Sequence, residues 1–181
     1  MKKIITLFAI IGLVAFSSCE GPEGPEGPPG YDGLPGPPGF VSKVMEIRNK
    51  DFAYNNVDGF YMSGVFNPLI GDASTILIYR LVGTIDASTP IWQLIPVNIS
   101  LTNNREVYYD YDFSKEDFKI YVRANYDLET TAGDFLDNQT FRIVIIPGAF
   151  TGKSVNKPDF SDYNEVIKKY NIDDSKVKEL N

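Results

Sequence analysis

Between residues 106 and 126 the chain alternates apolar and polar positions with a period of two. Val107, Tyr109, Tyr111 and Phe113 fall on one side, with Tyr108, Asp110 and Asp112 on the other. After Ser114-Lys115-Glu116-Asp117 the pattern resumes, with Phe118, Ile120, Val122, Ala124 and Tyr126 opposite Lys119, Tyr121, Arg123 and Asn125. Successive side chains of a strand point to opposite faces, so each run predicts a strand buried on one side only. The short polar connection predicts that the two pair antiparallel. Further aromatic and β-branched runs, divided by Asn, Asp, Gly and Pro, predict strands over 43–48, 59–66, 75–82, 91–101 and 139–147.

Residues 75–82 and 142–146 are the most uniformly apolar and are expected near the middle of a sheet. Pro96 lacks an N–H, so the run 91–101 is expected to be an edge strand or to carry a bulge. About seven strands with regularly spaced turns define an all-β class, with an antiparallel β-sandwich expected ahead of a single sheet. The tail changes period. Phe160, Tyr163, Val166, Ile167 and Tyr170 recur at helical spacing, with acids early and lysines late as a helix dipole favours. A short C-terminal α-helix packed on the sandwich is expected.

The first residues obey neither pattern. Lys2 and Lys3 precede an apolar run of 13 residues, Ile4 to Phe16, and then Ser17-Ser18-Cys19. This is the layout of a secretory signal, and the run is short of the roughly 20 residues that a membrane-crossing helix needs. Phe16-Ser17-Ser18-Cys19 is similar to a bacterial lipobox, with Phe16 where Leu is usual. Small Ser17 and Ser18 suit a narrow protease site, and the Cys19 thiolate is the nucleophile that takes the lipid. Cys19 is the single cysteine of the chain, and an unpaired cysteine in an exported protein calls for such an explanation. Two or more acyl chains on one residue anchor a protein stably.

From Gly21 to Gly39 every third residue is glycine, and proline is frequent between. Only glycine fits at the axis of a collagen triple helix, so the pattern is collagen-like. Its 18 residues make a stiff polyproline II spacer of roughly 55 Å, or else bring three chains together as a homotrimer. Four segments result: a signal peptide (1–18), the lipidated cysteine and stalk (19–41), the β-sandwich (42–158) and the C-terminal helix and tail (159–181).

Charge and residue inventory narrow the function. The net charge is −7, and loss of Lys2 and Lys3 with the signal leaves 15 basic against 24 acidic residues, or −9. Nucleic acids and anionic lipid surfaces demand a basic face and are disfavoured as partners. The chain has no histidine, and with Cys19 lipidated the histidine triads, cysteine nucleophiles and common zinc sites are excluded. No phosphate-binding glycine loop occurs. The reading is therefore non-enzymatic, with no catalytic residue and no cofactor.

Three polar or aromatic groupings remain. Asp110 and Asp112, roughly 7 Å apart on one strand face, carry the two-carboxylate chemistry of glycosidases, but read more simply as a solvated face. Asp127, Glu129, Asp134, Asp137 and Asn138 form an oxygen-rich loop without the calcium-loop spacing, so no metal site is assigned. Tyr108 and Tyr121 lie on the polar sides of adjacent strands and are the candidate ligand platform, since exposed tyrosine rings stack on sugars. Trp92, the only tryptophan, reads as a core position or an interface anchor.

The signal ending in Ser17-Ser18-Cys19, running straight into Gly-Pro triplets and then a compact β domain, resembles the small collagen-like lipoproteins of Bacteroidota. The likeness extends more loosely to Phe141-Arg142-Ile143-Val144-Ile145-Ile146-Pro147 and Asp162-Tyr163-Asn164-Glu165-Val166. It implies a lipid anchor in the outer membrane, with Glu20, Glu23 and Glu26 compatible with export to the cell surface, and it implies no particular activity. The expected role is presentation of the β domain to a protein or glycan. The alternative is a structural or assembly module trimerised through the collagen-like segment.

Overall fold

The computed structural model describes residues 42–148, 158–175 and 177–180. The chain divides into two units, and every described residue belongs to the second, Gly36–Asn181. The signal segment, Cys19 and the Gly-X-Y stalk lie outside the described residues.

Ten strands form two five-stranded sheets among the described residues. They are β1 (Lys43–Lys50), β2 (Ala53–Asn55), β3 (Gly59–Val65), β4 (Thr75–Asp86), β5 (Thr89–Ile95), β6 (Val97–Ser100), β7 (Glu106–Phe113), β8 (Asp117–Ala124), β9 (Gln139–Ile146) and β10 (Lys178–Glu179). The first sheet runs β10-β1-β9-β4-β5 and the second β2-β3-β8-β7-β6. All neighbours are antiparallel except β1 and β10, which run parallel. Among the described residues there are also two short α-helices, α1 (Ala132–Phe135) and α2 (Tyr163–Lys169), and two 3-10 turns, Thr102–Asn104 and Leu128–Thr131. The class is all-β and sandwich-like, with more strands than the expected seven.

The inward faces follow the alternation. Met45 and Ile47 of β1, Ile76 and Ile78 of β4, and Phe141, Ile143 and Ile145 of β9 meet Met62, Val107, Tyr109, Phe118, Ile120 and Val122 of the second sheet in one core. Phe118 and Ile120 are fully buried, and burial of each such side chain is worth about 1.5–3 kcal/mol. β9, the expected central strand, is third of five in its sheet, with β4 beside it. One charge enters this core: Arg80 donates to Gln139 Oε1 at 2.9 Å and to the Asp134 carbonyl at 3.0 Å. Its guanidinium carbon lies 4.8 Å from the Tyr109 ring centre.

The run 91–101 is not one strand. It breaks at Pro96 into β5, an edge of the first sheet, and β6, an edge of the second. A residue without an N–H cannot continue a ladder, and here the chain passes from one sheet to the other at that point. Both halves are edges, as proline predicted, but the corner between sheets was not anticipated.

The outer face of the first sheet carries a second apolar cluster. Val44, Tyr79, Val144 and Ile146 receive Tyr163, Val166 and Ile172, with Phe160, Ile167 and Tyr170 at its margin. The expected C-terminal helix is present, but it begins at Tyr163 rather than Asp159. Asp162 sets that start, because its carboxylate accepts from Asn164 N at 2.9 Å and Glu165 N at 3.2 Å as an N-cap.

Candidate ligand-binding face

The first sheet is covered on its outside by α2, so the second presents the sheet face that no described element covers. Four of its strands supply that face. On β7 it carries Tyr108, Asp110 and Asp112; on β8, Lys119, Tyr121 and Arg123; on β3, Tyr61 and Ser63; on β6, Asn98 and Ser100.

Register decides which of these meet. Tyr108 stands opposite Arg123, Asp110 opposite Tyr121, and Asp112 opposite Lys119. Tyr61 is beside Tyr121 on the β3 side, and Asn98 beside Tyr108 on the β6 side. The two sequence-predicted tyrosines are therefore diagonal neighbours on one face, about 7–8 Å apart at their backbones.

Their hydroxyls are tied in opposite directions. Tyr108 donates to Glu106, two residues back along β7, whereas Tyr121 donates to Asp112 Oδ2 at 2.8 Å, ahead of its own cross-strand partner. One phenol is drawn toward the start of β7 and the other toward its end. Between them lies an open depression of about 430 Å³, lined by Pro96, Asn98, Tyr108, Asp110, Tyr121 and Arg123 among others. A second depression, of about 410 Å³, shares Asp110, Tyr121 and Arg123 and continues past Asp112 to Val57 and Asp58 in the β2–β3 turn.

The electrostatics keep both phenols protonated. Desolvation first, then the bond to Asp112, pushes Tyr121 up to about 12. The Glu106 carboxylate, more than desolvation, raises Tyr108. Asp58 is held below the usual carboxylate range by Asn55, which donates to it at 3.0 Å, and by Lys119 at 3.0 Å. Lys119 also lies 5.6 Å from the Tyr61 ring centre, and the Arg123 guanidinium carbon 5.7 Å from that of Tyr121.

The other groupings read from the sequence have structural work. Asp110 and Asp112 do share a face, but Asp112 is engaged by Tyr121. In the acidic loop, Asp127 accepts from Glu129 N at 3.0 Å, Gln139 donates to the Asp137 carbonyl at 2.8 Å, and Asn138 N donates to Asp51 at 2.8 Å. Among the described residues no three His, Cys, Asp or Glu side chains gather as a metal-binding group. No described helix is long and apolar enough to cross a membrane. Trp92 packs beneath α2, its ring centre 5.7 Å from that of Tyr163 and 4.5 Å from the Arg142 guanidinium carbon. Cys19 lies outside the described residues.

Sequence reasoning missed Tyr61 and Asn98 as members of this face, and the ion pair of Glu46 with Arg142 under α2. The signal was present for Arg142, a lone charge inside the apolar run from Phe141 to Ile146.

No protein-family model matches the chain, and no curated protein and no solved structure matches it either.

Proposed function

We propose that this chain is a non-enzymatic lipoprotein, acylated at Cys19 and held on the outer membrane, that displays its β domain at the cell surface to bind a protein or glycan. The observation that carries the binding role is the pairing of Tyr108 and Tyr121 around an open depression on the sheet face that α2 does not cover. Aromatic rings with a polar tip are favoured at binding surfaces, because they offer apolar area and a hydrogen bond together. The anchor rests on the signal layout and Cys19, and the reach on the Gly-X-Y segment as a spacer ahead of an antiparallel sandwich.

Protease shaving of intact cells tests this reading. Loss of the β domain while a periplasmic control survives is the expected result. Survival of the domain until the outer membrane is broken would place it in the periplasm and overturn the proposal.

A further inference from the structure

We infer that the outer face of the second sheet binds an uncharged oligosaccharide of at least two sugar units, laid across β6, β7 and β8 toward the β2–β3 turn. This rests on the reading of that face as a binding surface and names what it takes. The two depressions adjoin through Asp110, Tyr121 and Arg123, and each has the volume of a small-ligand pocket. Both are open, and together they make a trough that runs across the strands. Such a trough suits a chain entering at Pro96 and Asn98 and leaving at Val57 and Asp58. An extended peptide pairing with a sheet would instead run along an edge strand.

The lining matches sugar chemistry in three respects. Tyr108 and Tyr121 lean apart under the pull of Glu106 and Asp112, so their rings bound the gap instead of filling it and offer apolar surface to a sugar's C–H face. A sugar hydroxyl both donates and accepts. The Asp110 carboxylate can accept, the Arg123 guanidinium can donate, and the Asn98 amide can do either.

Charge then selects among sugars. Asp58, Asp110 and Asp112 bring three carboxylates to the lining of the trough against one lining cation, Arg123, and Lys119, outside that lining, is paired with Asp58 at 3.0 Å. With the mature chain strongly acidic, an oligosaccharide bearing carboxylates or sulfates is repelled.

The test uses the full lipidated chain, solubilised in a detergent without a sugar headgroup. It is titrated by calorimetry with short oligomers of glucose, mannose, xylose and N-acetylglucosamine, and with oligomers of galacturonic acid. At least one neutral series is expected to bind, about tenfold more tightly as a dimer or trimer than as the monosaccharide. Tyr121→Ala is expected to weaken it about tenfold, and Tyr121→Phe much less, with unchanged thermal melting. Lys168→Ala, on α2, leaves binding as it was. Absence of binding to every neutral series, binding of the galacturonate oligomers alone, or wild-type affinity in both Tyr121→Ala and Tyr108→Ala would each overturn the inference. A protein cross-linked to this face in cells, with no sugar bound, would overturn the sugar inference and leave the surface-binding reading standing. Protection of the domain from protease on intact cells removes that reading whatever the sugars do.

Discussion

Glu46 and Arg142 stand directly opposite each other on β1 and β9, and Arg142 Nε donates to Glu46 Oε2 at 2.9 Å beneath the C-terminal helix. Arg142 also donates to the Tyr163 hydroxyl at 2.7 Å and to Asp174 at 3.1 Å, joining β9 to the start of α2 and to the tail beyond it. Glu46 is only 3% exposed, and its other oxygen receives Arg48. Breaking such a pair takes from the buried Glu46 carboxylate its buried partner and leaves it only Arg48, whose side chain is 55% exposed. Arg142→Ala is therefore expected to cost about 3–5 kcal/mol in urea unfolding, whereas replacing both Glu46 and Arg142 by Met costs less than the single change.

Gly64 and Phe118 are cross-strand partners on β3 and β8. A Cβ at Gly64 would sit 2.6 Å from the Phe118 ring, and that ring is fully buried. Gly64→Ala should destabilise the domain by about 1–3 kcal/mol through overpacking, read as a shifted urea midpoint. Gly64→Ala with Phe118→Leu is expected to recover part of the loss.

Alkaline pH gives a separate handle. Desolvation pushes Tyr109 up to about 12 from its ordinary 10, and its hydroxyl donates to the Phe135 carbonyl at 2.8 Å. The folded state then holds this proton more tightly than the unfolded chain. Its contribution is complete below pH 10 and is lost as pH rises from 10 to 12. Tyr79 and Tyr163 are raised further by burial and act in the same direction. Phenolate absorbance should therefore appear partly in step with loss of the β-sheet circular dichroism signal. Complete titration of all tyrosines near pH 10 in a folded domain would contradict this.

Asp162 caps α2 through two backbone N–H groups. Asp162→Ala is expected to cost about 0.5–2 kcal/mol. It should raise hydrogen exchange in residues 163–169 more than in β7 or β8.

Much of this was readable in the sequence wherever the cause is local. The alternation from Val107 to Tyr126 gave the β7–β8 hairpin, its turn and the shared face of Tyr108 and Tyr121, because side-chain period alone decides facing. The helical spacing from Phe160 to Tyr170 gave α2. What it could not give depends on pairing between distant segments. β2 and β10 have three and two residues, too short for a pattern, and exist because β3 and β1 offer them a ladder. The corner at Pro96 looks in sequence like a bulge, since the departure into another sheet is decided by strands far away. Register placed Asp112 within reach of Tyr121 and Glu46 opposite Arg142, and neither follows from either strand by itself.

If the proposed display at the cell surface holds, the β domain bearing Tyr108 and Tyr121 is reachable from outside an intact cell. Ser63 is exposed on the sheet face of those two tyrosines, and Cys19, the only native cysteine, would be blocked by lipid. Ser63→Cys therefore gives a single reactive thiol there, to be labelled on intact cells with a membrane-impermeant maleimide. Labelling of intact cells, as strong as after permeabilisation, is the predicted result. A thiol that reacts only once the outer membrane is opened would contradict the account.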